Sequence, residues 1–212
     1  MKRRHLLLSF GAAWATALWG DLARADAVEE ALKRVVAARR PIKTMQASFR
    51  QKRVIGLLAA AVESKGQLTI VQPGRLRWDL LPPDGVTYWI GPEGLAMANK
   101  DGVAKVGKSA AGRFATVLSD LLVMLGGDMI KLRKRYKLSI TETEGRLVLT
   151  AKPKSKKVAK HIAKLRMETG DKLWQVKRVE IFENNGDQSI IDFDKMKKDL
   201  PIKPAFMKPP KS

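Results

Sequence analysis

From Thr44 to about Asp194 apolar and polar residues alternate, and this period of two constrains the fold more than any other feature of the chain. Met45, Ala47 and Phe49 share one face of a first run. Leu68 and Ile70 oppose Gln67 and Thr69, and Leu76, Trp78 and Leu80 alternate with Arg75, Arg77 and Asp79. Tyr88 and Ile90 repeat the pattern before the Gly91-Pro92 turn, and Leu95 and Met97 follow it. Successive side chains of a strand point to opposite faces, so each run has one greasy face and one wet face. The connections Lys100-Asp101-Gly102, Glu144-Gly145, Thr169-Gly170-Asp171 and Asn184-Asn185-Gly186 supply the positive φ of hairpin turns. A parallel crossover needs a dozen or more residues, so these runs form an antiparallel meander.

Two helical stretches flank or interrupt the meander. Val28, Ala31, Leu32, Val35 and Val36 recur at helical spacing. Asp26 is placed to cap that helix, and Pro41 after Arg39-Arg40 stops it. Phe114, Val117, Leu118, Leu121, Leu122 and Leu125 form a second apolar stripe. Gly126-Gly127 ends it, and Asp128 can cap a shorter helix through Met129 and Leu132. Lys152 to Lys157 reads as an exposed charged loop, Val158 to Lys164 as a short helix or the start of a strand, and Leu200 to Ser212 as an irregular tail. The fold class expected is α+β, a strongly curved, unclosed antiparallel sheet with helices on its apolar concave face. Periodicity alone favours a dry, filled core over a hollow beneath those helices.

The N-terminus reads as an export signal. Lys2, Arg3 and Arg4 precede the apolar run Leu6 to Trp19, and Ala23-Arg24-Ala25 offers a small-x-small cleavage pattern. Residues 1–25 are therefore expected to be a cleaved signal peptide and residues 26–212 a single domain, the alternative being a retained N-terminal anchor. There is no cysteine, so an exported domain must hold by packing alone and has no site for N-terminal acylation. The formal net charge is +20; cleavage after Ala25 removes four cations and one anion, leaving +17. Behind a signal peptide such charge points away from nucleic acid. It points to anionic lipid headgroups, lipopolysaccharide or an acidic protein surface, or else to a solvated lysine coat.

Several anchors occur in a specific order. Met45-x-Ala47-x-Phe49-x-Gln51 is followed by Gly66-x-Leu68 and by Pro73-Gly74-x-Leu76-Arg77-Trp78. Gly126-Gly127-Asp128 follows the central stripe. Glu183-x-x-Gly186-Asp187-x-x-x-Ile191-x-Phe193 and Phe206-x-x-Pro209-Pro210 close the chain. Together they resemble the periplasmic outer-membrane lipoprotein carriers, the LolA-like family. The resemblance implies a half-barrel of about ten to eleven strands with a helical lid. It implies a periplasmic, monomeric carrier, not an enzyme, that takes lipoprotein acyl chains from an inner-membrane ABC transporter of the LolCDE type and passes them to an outer-membrane acceptor. By analogy Phe49, Leu68, Ile70, Leu76, Trp78, Tyr88 and Ile90 line the sheet side of a lipid site, and Phe114, Leu118, Leu121, Leu122 and Leu125 line the lid. The family commonly has Arg before the Pro of the third strand, where it holds the lid shut. Here that residue is Gln72, for which a weaker hold is expected, and Gln72→Arg is expected to tighten it. Some members continue past the Pro-Pro pair into a segment that limits sticking to membranes; this sequence stops at Ser212, from which weak association with an anionic membrane is expected.

The residues do not suggest catalysis, a metal or a cofactor. His161 stands alone among lysines, and Asp192 and Asp194 lie beside Lys195, Lys197 and Lys198, a setting for solvated ion pairs. Gly91-Pro92-Glu93-Gly94 and Gly126-Gly127 are turns without the lysine of a phosphate loop. Three function classes remain: a lipoprotein carrier, a carrier or exporter accessory for another lipid, and a basic binding or sensor module with a filled core.

Overall fold

The chain leaves its sheet at one edge and re-enters at the other, and this route decides where its helices lie. The computed structural model describes residues 15–56, 60–106 and 112–210. A helix, α1 (Ala15–Arg39), leads into strands β1 (Thr44–Ile55), β2 (Ala60–Val71), β3 (Arg75–Leu80), β4 (Val86–Gly91), β5 (Gly94–Asn99) and β6 (Gly102–Val106). Helices α2 (Gly112–Gly126) and α3 (Met129–Arg135) follow, then β7 (Tyr136–Thr143) and β8 (Arg146–Pro153). A short helix, α4 (Lys156–Ala159), precedes β9 (Ile162–Thr169), β10 (Val176–Glu183) and β11 (Gln188–Lys198).

All eleven strands form one sheet, ordered β6-β5-β4-β3-β2-β1-β11-β10-β9-β8-β7. Apart from β6 and β7, consecutive strands pair with each other, and β1 joins β11 in the middle. The edges are β6 and β7, so α2 and α3 must carry the chain across the full width. Laid flat, the strands would separate the edges by about 48 Å. The two helices end to end supply about 33 Å of that span. The sheet curls without closing, and the helices lie across its concave face.

That face is continuously apolar. Trp78 pairs with Leu68, Leu68 with Ala47, and Phe49 with Phe193. Val179 pairs with Ile191 and with Met167, which pairs with Leu149. These side chains form one buried cluster with Leu32 and Val35 of α1 and with Leu118, Leu121 and Leu125 of α2. The outer face is a ladder of ion pairs, including Arg166 with Glu180 at 2.8 Å and Arg178 with Asp192 at 2.6 Å.

Three local expectations change. Asp26 lies inside α1 and caps nothing, because Leu22-Ala23-Arg24-Ala25 are strong helix formers that carry the helix back to Ala15. The stretch after Lys157 is both helix and strand: Ser155 Oγ accepts from Val158 N to cap α4, and β9 starts at Ile162. The tail contains a 3-10 helix, Pro204–Met207, with Met207 buried. The end of α1 at Arg39 and the Asp128 cap of α3 are as expected.

Candidate functional site

The order of the sequence anchors becomes a contact in three dimensions. The Phe49 and Trp78 rings stack with centroids 4.0 Å apart and planes 29° apart, and Phe193 meets both edge-on. Gly66 faces Phe49 across the β1–β2 pair. A Cβ at Gly66 would lie 2.1 Å from Phe49 Cζ and 2.3 Å from the Asp79 carbonyl oxygen. Glycine is therefore required here for the ring to lie flat on the sheet.

Among the described residues, those expected to line the site come together without a hollow between them. Phe49, Leu68, Ile70, Leu76, Trp78, Leu118, Leu121 and Leu125 are all 2% exposed or less. A void large enough for water would register as exposed surface on its walls, so sheet and helix fill each other's space at these positions. Ile90 is buried at the margin, and Tyr88 and Leu122 are half-buried against the cluster. Phe114 belongs to α2, but its side chain falls outside the described residues. The sequence stripe omitted Met124, which is fully buried beside Leu125. A cavity of about 200 Å³ does exist elsewhere, lined by Arg146, Asp171, Gln175, Val176, Phe193 and Lys195 among others.

Two side chains grip the end of α2. Gln72 Nε2 donates to the Gly126 carbonyl at 2.9 Å, which puts the expected latch position in contact with the end of α2. Sequence reading missed the second. Arg39, 2% exposed at the end of α1, donates through Nη1 to the Met124 carbonyl at 2.9 Å and through Nη2 to the Gln175 carbonyl at 3.5 Å. No described ion pair includes Arg39, and among the described residues its Nε has no partner. Burial pulls its pKa down to about 10, so its charge is held in the core at a cost. A cation does suit the carbonyl end of a helix. Gly127, at φ +78°, gives this arginine room: a Cβ there would lie 3.1 Å from Arg39 Cβ.

A buried carboxylate fixes the other side of α2. Asp120, 1% exposed, accepts from Tyr136 Oη and lies 2.6 Å from Arg135 Nη1. Burial raises the Asp120 pKa, partly offset by Tyr136 and Arg135. Burial and Asp120 together raise the Tyr136 pKa, keeping it a neutral donor.

The closing motifs serve the scaffold. Asp187 is buried and accepts from Arg53 Nη2 at 3.1 Å and from the Gly56 amide at 3.2 Å, tying the end of β1 to the β10–β11 turn. The Phe206 carbonyl accepts from Arg77 Nη1 at 3.0 Å and from Trp89 Nε1 at 3.3 Å. The Phe206 ring lies 3.8 Å from the Arg77 guanidinium carbon, so the tail straps the outer face of β3 and β4.

Asp192 is paired with Arg178, and Asp194 accepts from the Lys195 amide. Among the described residues no three His, Cys, Asp or Glu side chains gather as metal ligands. No helix among them is long and apolar enough to cross a membrane.

Solved structures with similar folds include a domain described as an outer membrane lipoprotein-sorting protein from Vibrio parahaemolyticus. It is 10% identical with a TM-score of 0.53, over 86% of this chain and 97% of that one. A DUF1329 family protein from Desulfovibrio piger is 12% identical with a TM-score of 0.50, over 85% and 97%. A LolA superfamily protein from Nitrosomonas europaea is 12% identical with a TM-score of 0.43, over 82% and 94%. No curated protein matches the sequence. The first two likenesses show the fold. The family model described as "Outer membrane lipoprotein carrier protein LolA" matches residues 40–208, most of the chain, which hold the whole sheet with α2, α3 and α4 but not α1. This chain belongs to the LolA family of outer membrane lipoprotein carriers.

Proposed function

We propose that the protein is a periplasmic carrier that shelters lipoprotein acyl chains between its sheet and α2 and shuttles them from the inner to the outer membrane. In this reading residues 1–25 are a cleaved signal peptide and residues 26–212 the mature, monomeric carrier. An inner-membrane ABC transporter of the LolCDE type loads it and an outer-membrane acceptor unloads it. It catalyses no reaction and needs no cofactor.

The observation that carries the reading is an apolar interface held by polar contacts at one helix end. Leu118, Leu121, Met124 and Leu125 are buried against the sheet. At about 1.5–3 kcal/mol each, closure gains at most about 6–12 kcal/mol. An acyl chain of about sixteen carbons gains about 12 kcal/mol on leaving water, at about 0.8 kcal/mol per methylene. The two are comparable, so a chain can take the lid's place on the sheet. The contacts of Gln72 and Arg39 with α2 then decide how readily the exchange begins.

Gln72 also favours a second reading within the same scaffold, a free lipid as cargo, since the family's usual arginine is absent. Native mass spectrometry of the protein purified from a periplasm separates the two. Copurified lipoprotein is the expected result. Free lipid would move the assignment to the second reading. A bare mass that takes up no fluorescent acyl probe would overturn both.

A further inference from the structure

The described ion pairs leave one region of the surface strongly cationic. Residues 129–137 and 152–160 each hold five lysines or arginines and no acid. The structure joins them: the Lys154 amide donates to the Arg135 carbonyl at 2.9 Å, and β7 pairs with β8 from Tyr136↔Pro153 onward. Within this region Lys131, Arg133 and Arg135 are ion-paired, to Asp128, Glu29 and Asp120. Lys154, Lys156, Lys157 and Lys160 are exposed, and none belongs to a described ion pair. Lys134 is exposed one helical turn beyond Ile130.

Ile130 is the anomaly. It is 74% exposed, the most exposed of the large hydrophobic side chains among the described residues. Its neighbours Met129 and Leu132 are buried, so α3 is anchored while Ile130 points away from the core.

We propose that this face, Ile130 with Lys134, Lys154, Lys156, Lys157 and Lys160, docks on an anionic lipid bilayer. Lysines without fixed partners suit a fluid array of headgroups, where a folded acidic partner would call for the planar fork of arginine. A lone exposed apolar side chain among them can enter the headgroup–acyl boundary, as on interfacial helices. Because α3 follows α2 directly, docking brings the latched end of the lid to the bilayer. The inference does not depend on which cargo the protein carries.

The test is flotation of the purified full chain with mixed phosphatidylcholine–phosphatidylglycerol vesicles, against pure phosphatidylcholine vesicles. Binding to the mixed vesicles alone, weakened by salt, is expected. Replacing Lys154, Lys156 and Lys157 by Gln is expected to weaken partitioning on the order of a hundredfold. The same change at Lys177, Lys195 and Lys197, with equal net charge, is expected to leave most of it. Ile130→Ser is expected to weaken it by about tenfold. Ile130→Trp should shift its emission to the blue on binding. Equal loss from both lysine triples, full binding by Ile130→Ser, or no preference for anionic vesicles would each overturn the proposal.

Discussion

The guanidinium of Arg39 reaches the carbonyl of Met124 across 85 positions of sequence and holds it at 2.9 Å, and no described ion pair includes Arg39. Two effects oppose each other there. The hydrogen bond from a charged donor contributes about 1.5–3 kcal/mol to closure. Taking an unpaired cation out of water costs several kcal/mol, and the lowered pKa of Arg39 shows that desolvation dominates. For a cation whose folded pKa is lowered, the cost is present at neutral pH and is relieved only as pH rises past about 10. Arg39 therefore fixes where α2 closes while making closure shallower.

Arg39→Met, an apolar side chain in the same space, is expected to keep or raise the melting temperature and to slow entry of an acyl probe. Gln72→Leu, which removes a neutral hydrogen bond worth about 1 kcal/mol, is expected to speed entry several-fold. Stopped-flow fluorescence of a single probe compares the variants directly. Faster entry in Arg39→Met would show that the bond outweighs the buried charge.

Gln72 and Arg39 act on the same helix end. They bond carbonyls two residues apart. A second guanidinium would face the first across a short distance in a poorly solvated site. Gln72→Arg alone is thus not expected to tighten the lid, contrary to what sequence suggests. Gln72→Arg combined with Arg39→Met is expected to do so. Probe entry slowed by Gln72→Arg alone would refute this coupling.

Asp120 gives the lid a pH dependence. Its folded pKa is raised, chiefly by burial, so the protonated form suits the fold better. This contribution is fully present below the carboxylate's ordinary pKa and is lost as pH rises through the raised one. Asp120→Asn keeps an oxygen for the Tyr136 hydroxyl and removes the charge. The variant is expected to melt no lower than the parent at pH 7.5, with the gap between the two narrowing at pH 4.5. Thermal melts at both values check it, and a variant less stable at pH 7.5 would assign the stabilising role to the Arg135 pair.

Gly66→Ala is expected to cost about 3 kcal/mol or more, because the added carbon overlaps both the Phe49 ring and the Asp79 carbonyl. Phe49→Ala should not rescue it, since the carbonyl is backbone. Denaturant midpoints of the single and double variants test this, and full rescue would place the conflict in the ring alone.

What could be read in advance follows from the kind of signal each residue carries. Leu68, Ile70, Leu76 and Trp78 announce themselves by alternation, and Leu118, Leu121 and Leu125 by helical spacing, so the sheet and its cover were legible. Arg39 was read as one of two basic residues ending a helix. Yet it continues the buried stripe of Leu32 and Val35 at intervals of three and four. Asp120 likewise sits three residues after Val117 and four before Met124. A charge on the phase of an apolar stripe was the available signal in both cases. The exposure of Ile130 carried none, since Met129, Ile130 and Leu132 look alike until packing chooses which of them to bury. Whether the space beneath the lid is filled was equally hidden, because side-chain volumes must be matched across the fold to decide it.

The packed interface of α2 and the sheet is expected to separate to admit an acyl chain. The chain has no cysteine, so Gln72→Cys with Gly126→Cys creates a unique thiol pair across the latch. Joining the two with a short reducible bis-maleimide fixes the lid, and acyl-probe uptake is measured before linkage, after it and after reduction. Uptake, then none, then recovery is the expected sequence. Undiminished uptake by the linked protein would contradict it.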